Sequence, residues 1–512
     1  MRIFPAIHAR STGPSERAAD VPGHVPCVIV GAGHAGLSVA YGLQQAGLKP
    51  LLLEQLPQVG DVWRQRYQRL HLHHLTDAMY LPGMHHGAQV PEYPSRLDFA
   101  DYLQAYALLY QIDVRLGHRL LSLTPLDTGG WELQVGVDQT TLTFTAEHVV
   151  LATGPTGVTP LRPVLKGQER WRGQILHSVD FDSGADYRGQ RVLVVGAGNS
   201  AIEVLCDLYD NSAEPSLLMR SPGSWVTRQG FAHYHRLLAA GRWLLTYVPG
   251  AWLLAPVVLR LLDHYLKYDV RRRYPDLAAL GVDTHPATPV LRMAQSRGTR
   301  PPTYIDGTWG KVGVTLAELL RAGTVALYRG EIEQLQTDSR SVAFTDGRVG
   351  DFDTIILCTG FAPPTEHWQT FLDPQVSQAL AREIPQPWTE HAQFPGPVGG
   401  SWWYRYLALR PADPGAPPGC PHPRPPPSGT STQSGRQLPV EWYRSRADSN
   451  PAPHAGYQYP SRLRFNLPAV ALRLGCLKAA ARSSPQHCQL HAHLARLPLS
   501  WVRLRHATPA VA

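Results

Sequence analysis

The chain has 512 residues, enough for more than one domain, and its hydrophobic fraction of 43 % is ordinary for a globular protein. The net charge of +8 comes from one region: residues 395–512 carry fourteen basic and three acidic side chains, and the remaining 34 basic and 37 acidic side chains leave −3. Because the basic excess is confined to that region, we expect no nucleic-acid partner.

Residues 1–24 contain no apolar run long enough for a signal peptide, and we expect a disordered leader there. None of the six cysteines forms a C-x-x-C pair or has the spacing of a metal site. This pattern favours a reducing, cytoplasmic location, and it argues against a dithiol reductase and against a cysteine-bound metal. The cysteines are Cys27, Cys206, Cys358, Cys420, Cys476 and Cys488.

The first motif reads VPCVIVGAGHAG. Val28–Val30 form an apolar run typical of a buried parallel strand, and Gly31, Gly33 and Gly36 follow with G-x-G-x-x-G spacing. The first glycine permits a tight turn, the second lets the backbone approach a pyrophosphate, and the third lets helix and strand pack closely. The following helix N-terminus faces the phosphates. Glu54 ends the next strand, where an acid can bind ribose hydroxyls, so the motif predicts a dinucleotide-binding unit.

A second motif, QRVLVVGAGNSAIEV, repeats the pattern. Val192–Val195 predict the strand, Gly196 and Gly198 the turn, and Ser200 stands at the third glycine position, where a small residue still fits. The strand after the helix ends at Arg220 rather than at an acid. An arginine there suits the 2′-phosphate of NADP, which an acid would repel. A solvated surface arginine is the alternative.

Two apolar strands each end in a Thr-Gly turn: Thr153-Gly154 follows EHVVLA, and Thr359-Gly360 follows FDTIILC. We interpret each as a strand that runs out of one nucleotide domain and ends beside a cofactor. The predicted fold is α/β, with two nested Rossmann-like dinucleotide-binding domains, the second inserted into the first. The expected bounds are 25–160 and 311–394 for the two parts of the first domain, 161–310 for the second, and 395–512 for an atypical Pro/Arg-rich tail.

Residues 25 to about 390 resemble the flavin-containing monooxygenases. Trp171–Phe181 reads W-x-G-x-x-x-H-x-x-x-F and is similar to the family fingerprint F-x-G-x-x-x-H-x-x-x-(F/Y), with Trp171 in place of the first Phe. Its final Phe favours heteroatom oxygenation over Baeyer–Villiger chemistry. Gly60–His73 resembles the family's Gly-x-x-Trp flavin stretch, and Tyr93–Ala107 resembles the segment after it. Both are nearest the YUCCA-type indole-3-pyruvate monooxygenases and their bacterial relatives.

The resemblance implies FAD and NADPH as cofactors, with O₂ and a small molecule as substrates. In that cycle NADPH reduces FAD, the reduced flavin and O₂ form a C4a-hydroperoxide, and one oxygen passes to the substrate. One alternative is an NAD(P)H oxidase or reductase of the same fold without oxygen transfer. The other is a catalytically impaired flavoprotein that still binds nucleotides.

The resemblance also gives roles to three side chains. His177, the candidate catalytic residue of the fingerprint, would couple the domains or gate nicotinamide access rather than act as an acid or base, and a packing histidine is the equal alternative. Trp63 would pack near the flavin, and His73 would line the flavin pocket. A metal site is disfavoured, because alternate residues of an extended stretch point to opposite faces. The remaining histidines of this region, expected at the surface, are His71, His74, His85 and His86.

The longest apolar stretch, Leu244–Leu259, is short for a membrane span and contains two prolines and a glycine. We expect a buried or lid segment there, and contact with a membrane surface is the less favoured alternative. Residues 228–300 should supply much of the substrate pocket, and this apolar stretch within them favours an apolar or aromatic small molecule.

The tail departs from the family after Phe394–Gly396. The family usually continues with a strand, a Gly-rich turn and a helix that close over the flavin, but here Pro and Arg increase and no regular period is visible. We hypothesise that residues from about 395 come from a shifted reading frame or an unrelated fusion. A natural disordered extension is the alternative.

Overall fold

The computed structural model describes residues 21–154, 159–247, 255–295, 302–306, 315–362, 364–383 and 407–409. Each helix within these ranges is too short or too polar to cross a membrane. The expected leader lies outside the described residues as far as residue 20, and its last residue, His24, already belongs to a strand.

The strands form two main sheets and two small ones. In chain order they are β1 (His24–Val30), β2 (Leu51–Glu54), β3 (Val114–Leu116), β4 (His118–Pro125), β5 (Trp131–Val137), β6 (Thr140–Leu151), β7 (Gln174–His177), β8 (Arg191–Val195), β9 (Glu214–Met219), β10 (Trp225–Val226), β11 (Thr303–Tyr304), β12 (Ala326–Arg329), β13 (Ile332–Leu335), β14 (Ser341–Phe344), β15 (Val349–Asp351), β16 (Thr354–Leu357) and β17 (Leu407–Leu409).

The α-helices cover or connect these sheets. In chain order they are α1 (His34–Gln45), α2 (Asp61–Arg64), α3 (Arg96–Leu109), α4 (Asn199–Asp210), α5 (Arg228–Tyr247), α6 (Ala255–Arg273), α7 (Pro289–Gln295), α8 (Leu316–Arg321), α9 (Pro364–Trp368) and α10 (Pro374–Glu383).

The first sheet has the order β3-β2-β1-β6-β5-β4, parallel from β3 to β6 and antiparallel through β5 and β4. Successive residues of β1 face opposite sides. Val28 and Val30 join a core with β4 and β5, whereas Cys27 and Ile29 join a core with α1 and α3. Both faces of β1 are therefore buried, as its apolar run predicts.

The second sheet is entirely parallel, with the order β12-β9-β8-β16-β7. Helices α4 and α8 pack on one face, through Val204 and Leu316 among others. The antiparallel meander β13-β14-β15 packs on the other face through Val342 and Phe344. An α/β fold with two Rossmann-like units, predicted from the sequence, is confirmed.

The expected boundary between residues 310 and 311 is wrong. Strands β12 and β16 fall in the part expected to return to the first domain, yet both pair within the second sheet, where β16 lies between β8 and β7. The chain returns to the first unit afterwards: Trp368, Phe371, Leu372 and Val376 pack against the core of β4 and β5. The second unit therefore extends to about β16.

Helices α5 and α6 follow β10 and form a layer against the first unit. Tyr234 and Leu266 share a core with Leu75 and Tyr93, which lie in the connection before α3. The stretch Leu244–Leu259 falls partly outside the described residues. At its described end Val257 and Val258 are exposed, whereas Leu259 is partly buried against the core of α5 and α6.

Most of the tail from residue 395 lies outside the described residues. The described piece is β17, which pairs antiparallel with β6 and adds to the first sheet. The reading-frame hypothesis therefore stays a prediction.

Candidate functional site

The first loop joins β1 to α1 and turns at Gly31, where φ is +103°. A Cβ on Gly31 would lie 2.5 Å from the carbonyl oxygen of Ala152, and a Cβ on Gly36 would lie 1.9 Å from the carbonyl oxygen of Gly31. The protein's own packing therefore requires these two glycines. A Cβ on Gly33 would meet nothing within 4 Å, so the protein leaves open space at this position.

The second loop, between β8 and α4, has the same construction. Gly196 has a φ of +139°, and a Cβ there would lie 2.6 Å from the carbonyl oxygen of Cys358. A Cβ on Gly198 would meet nothing within 4 Å. The amide oxygen of Asn199 accepts a hydrogen bond from the backbone N–H of Tyr304 at 2.9 Å, which ties the loop to β11.

The N-termini of α1 and α4 differ from those of α3 and α8. Their N-cap residues, Gly33 and Gly198, are extended and offer no side-chain cap, and neither helix has an acid in its first turn. By contrast, α3 and α8 begin with capping boxes built on Ser95 and Thr315. The first-turn N–H groups of α1 and α4 therefore have no capping side chain, which suits the binding of a phosphate.

Glu54 ends β2, and its carboxylate reaches back to the first loop. Oε2 accepts a hydrogen bond from the backbone N–H of Ala32 at 2.9 Å, and Oε1 accepts one from the N–H of Leu56 at 3.0 Å. Burial raises the pKa of Glu54, although the backbone hydrogen bonds oppose that rise. The carboxylate is therefore held in one place beside the loop.

Each Thr-Gly turn lies beside one of the loops, because the residue before it contacts the loop's first glycine. Gly154 and Gly360 have φ values of +88° and +85°, and a Cβ on either would meet nothing within 4 Å. The Thr153 hydroxyl accepts a hydrogen bond from the indole Nε1–H of Trp368 at 2.9 Å. Both turns therefore add open space to that left by Gly33 and Gly198.

Two chain segments, residues 159–162 and 359–362, connect the units and run antiparallel; we call them the linker pair. The N–H of Leu161 donates to the carbonyl of Gly360 at 3.0 Å, and the N–H of Ala362 donates to the carbonyl of Thr159 at 2.9 Å. The Thr359 hydroxyl donates to the carbonyl of Leu161. The second Thr-Gly turn is thus part of the connection between the units.

His177, at the end of β7, is fully buried against the linker pair. Its Nδ1 accepts a hydrogen bond from the N–H of Val179 at 3.1 Å, so the proton is assigned to Nε2, which donates to the carbonyl of Gly360 at 3.0 Å. Its ring packs against Phe361 with centroids 5.2 Å apart. Burial lowers the pKa of His177, so the imidazole is neutral with both nitrogens bonded.

Arg220 follows β9, on the edge where the second loop emerges. Its side chain is 68 % exposed, and Nη1 lies 3.0 Å from Oε1 of Glu331, which is also exposed. An exposed ion pair contributes only about 0–1 kcal/mol to stability, so Arg220 can leave Glu331 and bind another anion at little cost.

Trp63 and His73 lie in different surroundings. Trp63 packs edge-on against Phe99 in the core of α1 and α3, with ring centroids 5.2 Å apart. His73 instead contacts the second unit, because its Nε2 lies 2.7 Å from Oε1 of Glu203 in α4 and its ring lies 5.4 Å from that of Tyr304.

The other histidines were expected at the surface, but of these four only His85 is exposed. The His71 ring bonds a backbone carbonyl, His74 packs against the aromatic residues of α5, and His86 stacks on Tyr102 at 3.9 Å. Across the described residues, no group of His, Cys, Asp or Glu side chains has the arrangement of a metal site.

Sequence reasoning missed the contacts of Tyr67 and Glu203. The Tyr67 hydroxyl donates to Glu203, which is 1 % exposed and lies one turn into α4. A signal was available: Glu203, Asp207 and Asp210 repeat at i, i+4 and i+7, which places three acids on one helix face. An acidic face on a helix that packs inward requires polar partners.

The described cysteines are poor nucleophiles. Burial raises the pKa of each thiol, in Cys27, Cys206 and Cys358, to about 12. They lie in β1, in α4 and after β16, so these three do not form a sequence-adjacent redox pair.

A family model described as pyridine nucleotide-disulphide oxidoreductase matches residues 28–231, which include both glycine loops. Two solved structures share the fold. One is OTEMO in complex with FAD and NADP, with 18 % identity, a TM-score of 0.51 and coverage of 70 % of this chain and 76 % of that chain. The other is cyclohexanone monooxygenase in an open form, with 14 % identity, a TM-score of 0.51 and coverage of 69 % and 76 %.

Curated relatives are more similar in sequence. The probable indole-3-pyruvate monooxygenase YUCCA3 of Arabidopsis thaliana is 30 % identical over 353 residues, which cover 67 % of this chain and 74 % of the relative. The indole-3-pyruvate monooxygenase YUCCA4 of Oryza sativa subsp. japonica is 30 % identical over 375 residues, which cover 69 % and 77 %. The two glycine loops, the linker pair and these similarities together show that the chain is an oxidoreductase of the flavin-containing monooxygenase family.

Proposed function

We propose that this chain is an FAD-dependent, NADPH-consuming monooxygenase that transfers one oxygen atom of O₂ to a small apolar or aromatic molecule. The observation that carries this proposal is the paired construction of the two loops. Each opens an uncapped helix, and each is joined by a Thr-Gly turn whose glycine borders open space. One chain thus offers two places for a dinucleotide pyrophosphate.

FAD fits the first loop. Gly33 and Gly154 leave the room that a pyrophosphate needs, and the fixed carboxylate of Glu54 is available to ribose hydroxyls. The remaining residues assigned to this cofactor are Gly31, Gly36, Thr153, Trp63 and His73. FAD, when bound, would accept a hydride from NADPH and would then react with O₂. The protein's part is to bind and orient the cofactors and the substrate and to exclude water.

NADPH fits the second loop. Gly198 and Gly360 leave room for its pyrophosphate, and Arg220 offers a planar, charged donor for the 2′-phosphate in exchange for its exposed contact with Glu331. The remaining residues assigned to this cofactor are Gly196, Ser200 and Thr359.

His177 is assigned a positioning role in this proposal. Since both ring nitrogens bond backbone groups and the pKa is lowered, the imidazole has no free nitrogen with which to move a proton. Its hydrogen bond to Gly360 instead fixes the second Thr-Gly turn within the linker pair. The bond therefore sets the position of this turn, which lies beside the NADPH loop, relative to the first unit.

An uncharged aromatic cluster supports an apolar or aromatic substrate. His74 lies beside Phe231 and His235 of α5, and Phe231 also packs against Tyr234 and Tyr304. Burial lowers the pKa of His74 well below its usual value and lowers that of His235 to about 4, so both are neutral at pH 7. The names of the curated relatives make indole-3-pyruvate the first candidate to test.

The cofactor part of the proposal is tested by the absorbance of the purified chain and by anaerobic titration with NADPH or NADH. We expect bound flavin that is bleached by NADPH at much lower concentrations than by NADH. A colourless chain that takes up no added FAD would contradict the proposal. Flavin that is reduced but yields only H₂O₂ in air, with every candidate substrate, would favour the oxidase alternative.

A further inference from the structure

A segment of the first unit, Tyr67–His73, lies along α4 of the second unit and bonds its acidic face. His73 Nε2 lies 2.7 Å from Oε1 of Glu203, and the Tyr67 hydroxyl donates to Oε2 of the same carboxylate. Arg69 Nη1 lies 2.5 Å from Oδ2 of Asp210. Tyr67, Arg69 and His73 therefore meet α4 on the face that its acids share.

Glu203 is the most buried residue in these contacts, with 1 % of its surface exposed. A carboxylate in that position is stable only when hydrogen-bond donors satisfy it, because burial without partners costs several kcal/mol. Within the described part of the chain its donors are Tyr67 and His73, and both come from the other unit. The two units are thus held together by a carboxylate that neither unit satisfies alone.

Tyr67 also lies close to the second loop. Burial raises the pKa of the Tyr67 hydroxyl, and the side chain of Ser200, at the third position of the glycine motif, partly opposes that rise. Ser200 lies three residues before Glu203, so both face the same side of the first turns of α4. Tyr67 is buried, and its ring packs against Phe181 with centroids 6.2 Å apart.

We propose that Tyr67 and Glu203 are positioning residues for NADP(H): they fix the N-terminal turn of α4, and hence its phosphate-binding N–H groups, from the first unit. This inference rests on the proposed NADPH site. It makes the affinity for NADP⁺ depend on two side chains that do not belong to the glycine motif.

The test measures the dissociation constant of NADP⁺ by calorimetry on the full FAD-loaded chain, for Tyr67→Phe, Glu203→Gln and the double variant. We expect each single variant to raise the dissociation constant of NADP⁺ about tenfold, as the loss of one hydrogen bond to a charged group can do. The double variant should bind NADP⁺ about as tightly as the weaker-binding single variant, because both substitutions remove the same Tyr67–Glu203 hydrogen bond. Flavin content should stay at the wild-type level.

Gln68→Ala is the matched control. Gln68 lies next to Tyr67 and also bonds across the units, through its amide to Asp182 at 2.8 Å, but this contact is exposed and lies off α4. We expect its NADP⁺ affinity to stay within about twofold of wild type, as for a surface contact. If Gln68→Ala lowers the affinity for NADP⁺ as much as Tyr67→Phe does, then contact between the units alone accounts for the loss of affinity, and the inference is wrong.

Tyr67→Phe keeps the ring and its packing, so it decides the question even if Glu203→Gln does not fold. Wild-type affinity in a folded, flavin-containing Tyr67→Phe chain would overturn this inference while leaving the proposed function intact. A flavin-containing wild-type chain that binds no NADP⁺ would contradict the proposed function, and this inference with it.

Discussion

His177 shows how one side chain can tie the two units together without taking part in chemistry. It is buried, neutral and bonded through both nitrogens, one of them to Gly360 in the linker pair. The sequence identifies it only through the fingerprint around it, since a single histidine before a glycine loop has no local signature. Its two partners are backbone groups: the N–H of Val179 is a sequence neighbour, whereas the carbonyl of Gly360, 183 residues away, comes close only in the folded chain.

Replacing His177 by alanine should lower stability by about 2 kcal/mol, because the Val179 N–H loses its acceptor and a cavity opens beneath the linker pair. The melting temperature measures this loss. The pH profile of the remaining turnover should keep the shape of the wild-type profile. A profile that loses one of its limbs would show that His177 moves a proton, contrary to its assigned role.

Arg220 should discriminate between the two nicotinamide cofactors. Arg220→Ala removes a charge-assisted contact of about 1.5–3 kcal/mol with the 2′-phosphate, which NADH lacks. We therefore expect KM for NADPH to rise more than tenfold while KM for NADH changes little. Glu331→Ala is the control, since it removes the partner of Arg220 but not the arginine itself. An equal rise for both cofactors after Arg220→Ala would rule out the phosphate assignment.

At the scale of elements, the glycine loops were the most predictable part of the chain. Strand, turn and helix follow from local pattern, and the packing shows why the residues differ in importance: Gly31 and Gly36 contact the protein itself, whereas Gly33 borders open space. The hydrogen bond between Tyr67 of the first unit and Glu203 of the second was not predicted, because it joins residues 136 apart in the chain.

Gly33→Val and Gly36→Val should therefore fail in different ways. Gly33→Val should fold with a near-normal melting temperature and yet purify without FAD, because its side chain fills only the space that the ligand needs. Gly36→Val should not fold, since its Cβ would lie 1.9 Å from a backbone oxygen. Circular dichroism and flavin absorbance separate the two. A yellow Gly33→Val protein would contradict the assignment of the first loop.

Docking of α5 on the first unit should be sensitive to acid. Burial lowers the pKa of His235 from its usual 6.5 to about 4. The unfolded chain therefore binds a proton that the folded chain does not, and stability is lost as the pH falls from about 6.5 towards 4. The loss should total on the order of 3 kcal/mol. His235→Phe keeps a ring against Phe231 and should show a smaller fall in melting temperature between pH 7.5 and 4.5. A fall equal to that of wild type would contradict this.

At the scale of the whole molecule, two nested nucleotide-binding units were predictable, but the boundary between them was not. The apolar runs that form β12 and β16 fit either parallel sheet, and local pattern does not reveal which strands they will pair with. The structure decides this through long-range pairing, and it returns the chain to the first unit only after the linker pair. The apolar core between α5, α6 and the first unit also emerges only at this scale, since Tyr93 and Leu266 are brought together by the packing of the units.

The central claim is that this molecule transfers an oxygen atom rather than merely reducing O₂. The most direct test is to supply the FAD-loaded chain with NADPH, ¹⁸O₂ and indole-3-pyruvate, and to analyse the product by mass spectrometry. We predict a product that carries one ¹⁸O atom, formed in proportion to the NADPH consumed. NADPH consumption that yields only labelled H₂O₂, with indole-3-pyruvate and with a panel of aromatic amines and sulfides, would contradict the claim.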